Sequence, residues 1–328
     1  MHWGGERTLL ELKDLTVTFP SKRGEVTAVD SLTLSIQEGS VFGLAGESGC
    51  GKTTTGLALL RMIKPPGVVA GEIDFDGKKI MSMKEEELRK FRWKEVSMIF
   101  QGAMSSLNPV KTVASQIADA IMDHSRMTRR EAFRIVRELV GKVHLPPDSL
   151  NKYPHQLSGG QKQRVVIAMA IALKPKLIIA DEPTTALDVV SQDRILNLLR
   201  EVVRESKSTV LFISHDLSVL SAMCDTIAIM YLGSIAEQGR VEDVLRSPMH
   251  PYTEALISSN ITLDRRGTSV ESIKGYPPVP IQLPRNCRFS DRCQFATDEC
   301  RNSEPPAVTD GQEHVAYCFH PRKRNAGK

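Results

Sequence analysis

A short apolar run, Val41-Phe42-Gly43-Leu44-Ala45, leads into Gly46-Glu47-Ser48-Gly49-Cys50-Gly51-Lys52-Thr53, and a helix-forming stretch follows from Lys52 to Met62. A strand that ends in a glycine loop and restarts as a helix is a unit of a parallel α/β sheet, with the loop at its carboxyl edge. The spacing Gly46-x4-Gly51-Lys52-Thr53 lets backbone N–H groups curl round a phosphate, because glycines permit the angles and the close approach. The helix start adds its positive dipole end. Lys52 is suited to the β- and γ-phosphates and the Thr53 hydroxyl to Mg2+, while Ser48, Gly49, Cys50 and Thr54 complete the loop wall. A nucleoside triphosphate such as ATP is the implied ligand.

Further short apolar runs repeat the α/β rhythm: Leu15 to Phe19, Leu32 to Ile36, Val96 to Phe100, Leu177 to Ala180, Val210 to Ser214 and Ile227 to Met230. Thr128-Arg129-Arg130-Glu131 reads as a capping box opening a helix toward Val140, with Gly141 as its stop. The expected architecture is a P-loop α/β core with an antiparallel β subdomain, spanning 1–258, with a helical insertion over about 101–164. A linker and a small cysteine-rich extension, 259–328, follow through the proline-rich Gly275-Tyr276-Pro277-Pro278-Val279-Pro280. That last piece has few large apolar side chains, so it needs a metal, disulfides or a host surface to hold a shape.

With 41% hydrophobic and 25% charged residues, the 328-residue chain is neither disordered nor fibrous. A net charge of +4, with Lys and Arg scattered among Asp and Glu, argues against nucleic acid. The densest basic run, Arg322-Lys323-Arg324, reads as a solvated tail. No apolar run approaches the roughly 20 residues needed to cross a bilayer. The opening Met1 to Arg7 has no apolar core of a secretory signal, so the expected location is the cytosol.

The strand Leu177 to Ala180 ends in Asp181-Glu182, which puts two carboxylates at the ligand-holding edge of the sheet. Asp181 is suited to Mg2+ through water, and Glu182 to orienting or deprotonating a water that attacks the γ-phosphorus. Between these motifs lies Leu157-Ser158-Gly159-Gly160-Gln161, just before a helix expected over Lys162 to Leu173. Small residues at a helix start expose N–H donors to an anion. The chain's own loop already surrounds its own phosphates, so this second anion site makes sense facing another subunit's nucleotide.

With these residues in place, the sequence resembles the ATP-binding cassette ATPases, whose signature reads Leu-Ser-Gly-Gly-Gln, over about residues 8–258. The resemblance implies that Phe19 stacks on adenine and that Gln101 contacts Mg2+ and the attacking water and senses a membrane subunit. It implies that Asp188, in Ala186-Leu187-Asp188, lies on a loop crossing a dimer interface and that His215 contacts the γ-phosphate.

Within that superfamily, Gln101 to Pro109, His250-Pro251-Tyr252-Thr253, Gly275 to Pro278 and the Pro284 to Phe289 segment are similar to the peptide/nickel importer ATPases. Gly102 and Ala103 depart from the acidic residue and proline usual there, on the surface expected next to the membrane subunit. The resemblance implies an ATP-hydrolysing subunit at the cytoplasmic face of the membrane, paired as a heterodimer with a second cassette. Two transmembrane permease subunits and an extracytoplasmic solute-binding protein would complete the importer. A soluble cassette acting on ribosomes or DNA is the alternative, though such proteins usually carry two cassettes, a coiled coil or a basic insertion.

Cys287, Cys293, Cys300 and Cys318 crowd the C-terminal end, and in a reducing compartment clustered thiols favour a metal over disulfides. Four thiolates suit zinc or a 4Fe–4S cluster, and Arg285, Arg288, Arg292 and Arg301 are available to offset a cluster's negative charge. His314 and His320 are available as substitute ligands. The family resemblance ranks the cluster first and zinc second. A further reading makes this extension a redox sensor acting on the ATPase.

Overall fold

A computed structural model describes residues 7–102, 106–261, 273, 275–281, 283, 285–311 and 313–322. Ala103 to Ser105, Pro284, Lys323 and Arg324 from the segments above therefore lie outside the described residues. The chain divides into two compact units, one of residues 1–81 and 212–328, the other of 82–211.

The first unit opens with a long antiparallel hairpin, Thr8–Ser21 against Gly24–Gln37, joined at Lys22 and Arg23. The two short strands expected there are the buried centres of this hairpin. Its full length escapes a simple alternation because Asp14 and Ser31 take left-handed angles, φ 49° and 50°, and the register shifts between Leu12 and Leu15. Leu10, Leu12, Leu15 and Val17 on one strand and Val29, Leu32 and Ile36 on the other are buried. Val68–Phe75 pairs along the free side of Thr8–Ser21, and Lys78–Lys79 closes this four-stranded sheet.

The same unit carries a second sheet. Val41–Ala45 runs parallel to Thr226–Tyr231, which pairs antiparallel with Ser234–Arg240, followed outward by Val315–Tyr317 and Ala307–Thr309. The cysteine-bearing extension thus contributes two strands to the edge of this sheet. The connector also adheres: Thr27 N–H donates to the Pro280 carbonyl at 2.8 Å, and Val26 bridges Ile281. The helix after the glycine loop spans Lys52–Leu59, shorter than expected, because the chain turns through Arg61 at φ 48°.

The second unit pairs Val96–Ile99 parallel with Leu177–Asp181, both strands wholly buried. Helices Val113–His124, Arg129–Lys142, Gly159–Ile171 and Val189–Ser206 surround them in sequence. The capping box forms as expected: the Thr128 hydroxyl accepts from Glu131 N–H, and the Glu131 carboxylate accepts from Thr128 N–H at 2.7 Å. Gly141 does not stop that helix, which continues to Lys142. A Cβ at Gly141 would meet nothing within 4 Å, so Gly141→Ala should raise stability by about 0.5–1 kcal/mol in urea titrations. No helix of the described residues is long and apolar enough to cross a membrane.

Candidate functional site

The first unit holds the glycine loop. Gly46 and Gly51 adopt φ 145° and 107°, and a Cβ there would lie 2.2 Å from the Met230 carbonyl oxygen and 2.3 Å from that of Ala28. Backbone packing alone therefore demands glycine at both positions. Lys52 is buried, and its ammonium donates to the Gly46 and Glu47 carbonyls at 2.7 and 2.9 Å, which ties the helix start back over the loop. Thr53 is exposed and Thr54 half-buried on the same turn, while Ser48 and Gly49 face solvent. Cys50 fills the space beneath Gly46, where burial raises its thiol pKa despite nearby Lys52.

Phe19 is half-buried, and its ring lies where a Cβ on Gly67 would sit, 2.7 Å away. His215 is exposed directly after the strand Thr209–Ile213. It is positioned between Ser214, whose hydroxyl accepts from Asp216 N–H at 3.0 Å, and Asp216, which caps the helix Leu217–Met223.

The second unit gathers the other motif residues. Asp181 is 1% exposed at the end of its strand. Glu182 follows in a left-handed conformation, φ 46°, which a non-glycine residue adopts only when its surroundings impose it. Its carboxylate accepts from the Thr185 hydroxyl at 2.8 Å and from the Gln101 amide at 3.4 Å. The helix expected from Lys162 starts earlier, at Gly159, because Ser158 caps it by accepting from Gln161 N–H, and the Gln161 side chain accepts from Ser158 N–H at 3.0 Å. The signature is thus a capping box whose first helical positions are the two glycines. Gly160 lies against Ser191, with 3.6 Å from a would-be Cβ to the hydroxyl. Ser191 N–H in turn donates to Asp188 at 2.9 Å, and the Ser191 side chain first, then this backbone bond, holds the Asp188 carboxyl below its ordinary range. The starts of two helices, carrying the signature and Asp188, therefore meet in this unit.

The extension brings Cys287, Cys293, Cys300 and Cys318 around one cavity of about 10 Å³, together with His320, Phe289, Phe295 and Phe319. All four are free thiols. Burial raises the pKa of Cys287 and Cys293 and pushes Cys318 up to about 12, and the neighbouring thiols add to each shift. The expected metal centre is not present as a ready ligand set. Among the described residues no group of three or more His, Cys, Asp or Glu side chains is disposed to hold a metal ion. The thiols sit on different elements around a space with room for about one water, and three of them do not converge on a point.

Two further expectations are corrected. Arg288 and Arg292 do not face a cluster: Arg288 pairs with Asp30 and donates to the Leu232 carbonyl, and Arg292 forks onto Glu47. His314 is not a spare ligand, because its Nε2 lies 2.6 Å from the carboxylate of fully buried Glu237. That carboxylate also accepts from Met249 and His250 N–H at 2.7 and 2.9 Å.

Three residues hold contacts that motif reading did not assign to them. Tyr252, buried on the helix Pro251–Ile261, accepts from Glu47 N–H through its hydroxyl at 3.0 Å, and burial raises its pKa. Arg292 and Glu237 act across long sequence separations and leave no periodic trace. Beside Tyr252, burial pushes the His250 imidazole down to about 4 from its ordinary 6.5, and its Nδ1 accepts from Tyr252 N–H at 3.0 Å. The unfolded chain takes a proton at this ring below pH 6.5, whereas the folded chain resists one until about 4. Stability from this residue is therefore complete above 6.5 and declines as the pH falls toward 4, by on the order of 3 kcal/mol. Urea midpoints measured across that window should fall, and His250→Asn should flatten the decline; an unchanged slope would refute the assignment.

Comparison with known proteins agrees with this geometry. The family model described as ABC transporter matches residues 29–185, and that described as the oligopeptide/dipeptide transporter C-terminal region matches 236–300. The oligopeptide transport ATP-binding protein OppD of Escherichia coli K12 is 41% identical over 95% of this chain and 93% of its own length. The oligopeptide transport ATP-binding protein AppD of Bacillus subtilis is 39% identical over 95% of this chain and 96% of its own. A dimeric structure of the ATP-binding cassette MJ0796, bound to ADP and Pi, superposes with a TM-score of 0.64 at 30% identity, covering 71% of this chain and 99% of that one. The chain belongs to the ABC transporter ATPases, and within them to the family of oligopeptide and dipeptide transport ATP-binding proteins.

Proposed function

We propose that this chain hydrolyses ATP to power an importer of peptides or a related small solute, with nickel and oligosaccharides as alternatives. The observation that carries this reading is the match to oligopeptide transport ATP-binding proteins along 95% of the chain, extension included. The proposed assembly is a heterodimer with a second cassette, seated at the cytoplasmic face on two transmembrane permeases that receive solute from an extracytoplasmic binding protein.

In this reading Gly46 to Thr54 cradle the phosphates, Lys52 neutralises the β- and γ-oxygens, and Phe19 stacks on adenine. Thr53, Gln101 and Asp181 would hold Mg2+, which spreads the charge that develops on the phosphate oxygens. The buried, acceptor-only Asp181 carboxylate suits such a cation. Glu182 polarises the attacking water, with Gln101 and Thr185 fixing its carboxylate, and His215 reads the γ-phosphate. Ser158, Gly159, Gly160 and Gln161 address the nucleotide of the partner cassette, and Asp188 lies on the loop that meets it. Exposed Val189 and Val190 next to Asp188 support a covered face there. Proposed units follow the same logic: a nucleotide-binding domain over 1–258, with helical residues 101–164, and an extension over 259–328.

For the extension we infer a structural 4Fe–4S cluster ahead of zinc, with Cys287, Cys293, Cys300 and Cys318 as ligands. In that reading these four cysteines, which already line one small cavity, would hold the group through their thiolates. Purification from native membranes with this chain as bait tests both readings in one sample. Two multi-spanning subunits, a second cassette, iron and sulfide are the expected yield. Ribosomes, DNA or a soluble homodimer would overturn the importer, and zinc without iron would overturn the cluster.

A further inference from the structure

The turn Cys287 to Cys293 is closed by its own backbone: Ser290 N–H donates to the Cys287 carbonyl, Arg292 N–H to that of Phe289 and Cys293 N–H to that of Ser290, at 3.0, 3.0 and 3.4 Å. From this turn one long side chain reaches the phosphate loop. The Arg292 guanidinium donates to both carboxylate oxygens of Glu47, at 2.6 and 3.0 Å. It also donates to the Tyr231 hydroxyl at 3.3 Å and the Gly275 carbonyl at 3.1 Å, and it lies over the rings of Tyr231 and Phe289. The pair is largely dry, with the two side chains 6% and 22% exposed.

Glu47 is the second residue of the glycine loop, and its backbone is held as well. Its N–H donates to the Tyr252 hydroxyl and its carbonyl accepts from Lys52. The Tyr252 ring in turn packs at a tilt against Tyr231 and Phe289, with centroids 4.7 and 5.2 Å away. One aromatic cluster and one guanidinium therefore fix the start of the loop from below. A planar fork binding a carboxylate through two parallel bonds is both strong and directional. It also cancels a negative charge that would otherwise stand beside an incoming polyphosphate.

We propose that Arg292 is a positioning residue for the phosphate loop, holding and neutralising Glu47 and thereby coupling the Cys287–Cys293 turn to nucleotide affinity. The proposal rests on the nucleotide-binding reading above. Coupling of this kind is reciprocal: if the turn biases the loop, nucleotide must bias the turn to the same degree.

The test uses the purified full chain with ADP and Mg2+. In Arg292→Met the ADP Kd should rise about tenfold, and Arg292→Lys, a point charge without the fork, should restore less than half of that loss. In the wild type, saturating ADP should slow amide hydrogen exchange in residues 287–293. That slowing should vanish in Arg292→Met and in Glu47→Gln, and the double variant should be no worse than Arg292→Met alone. A structural role alone would not make exchange in the turn respond to ADP. Glu47→Gln probes the contact from the loop side even where the arginine variants fail to fold. A folded Arg292→Met chain with unchanged Kd overturns the proposal, as does wild-type exchange indifferent to bound ADP. A wild-type chain that does not bind ADP overturns this proposal and the nucleotide reading together.

Discussion

Replacing Glu182 by glutamine is expected to leave ATP binding intact and to lower turnover by about 10²- to 10⁴-fold, the usual scale for losing a general base. The substitution keeps shape and hydrogen bonding: the amide oxygen can still accept from Thr185, and Gln101 stays within reach. The left-handed backbone at this position is unaffected, because both side chains are unbranched at Cβ and differ only at their ends. What disappears is the basicity that lets the group take a proton from water. Phosphate release and nucleotide binding measured on one preparation separate the effects. The variant should also hold a closed dimer in ATP, seen as a shift in size-exclusion elution when mixed with the second cassette proposed above. Normal turnover would remove Glu182 from the role assigned to it.

The second large effect is expected at Gly46. An alanine there meets a backbone oxygen at 2.2 Å and the Cys50 sulfur at 2.8 Å, at an angle, φ 145°, that L-residues rarely adopt. The carbonyl belongs to Met230 on the central strand Thr226–Tyr231 and cannot swing away like a flexible side chain. Strain and overpacking together should cost on the order of 3 kcal/mol, and the displaced loop should lose nucleotide affinity besides. Urea titration read beside Gly141→Ala checks the first part, since an alanine placed in open space on a helix should move stability the opposite way. A Gly46→Ala chain as stable as wild type, with normal ADP affinity, would mean that the loop is softer than its packing implies.

The family was legible in the sequence because its motifs are written in contiguous residues. Gly46 to Thr53, Ser158 to Gln161 and Asp181-Glu182 each combine a local backbone requirement with a strand end or helix start. Capping at Thr128 was legible for the same reason, being a contract between residues three apart. The misses have two physical origins. The length of the first hairpin is hidden by two left-handed residues that break the alternation. Arg292 and Glu47 are separated by 245 positions, and His314 and Glu237 by 77, so no window of sequence contains both partners. Arginines beside cysteines invite a reading as counter-charges for a metal centre, whereas two of them are claimed by carboxylates of the first hairpin and the glycine loop.

The buried Glu237 carboxylate has a practical consequence for anyone who trims this protein. Removing the chain after Pro306 would delete Ala307–Thr309 and Val315–Tyr317, baring the hydrogen-bonding rim of Ser234–Arg240 to other molecules. It would also strip His314 from Glu237 and leave a buried carboxyl group with one partner fewer. A shortened cassette should therefore clump rather than behave as a tidy monomer. Because the same cut also removes Cys318, such trials lose a β-rim and a thiol together, and only a Cys318 substitution in the full chain separates the two.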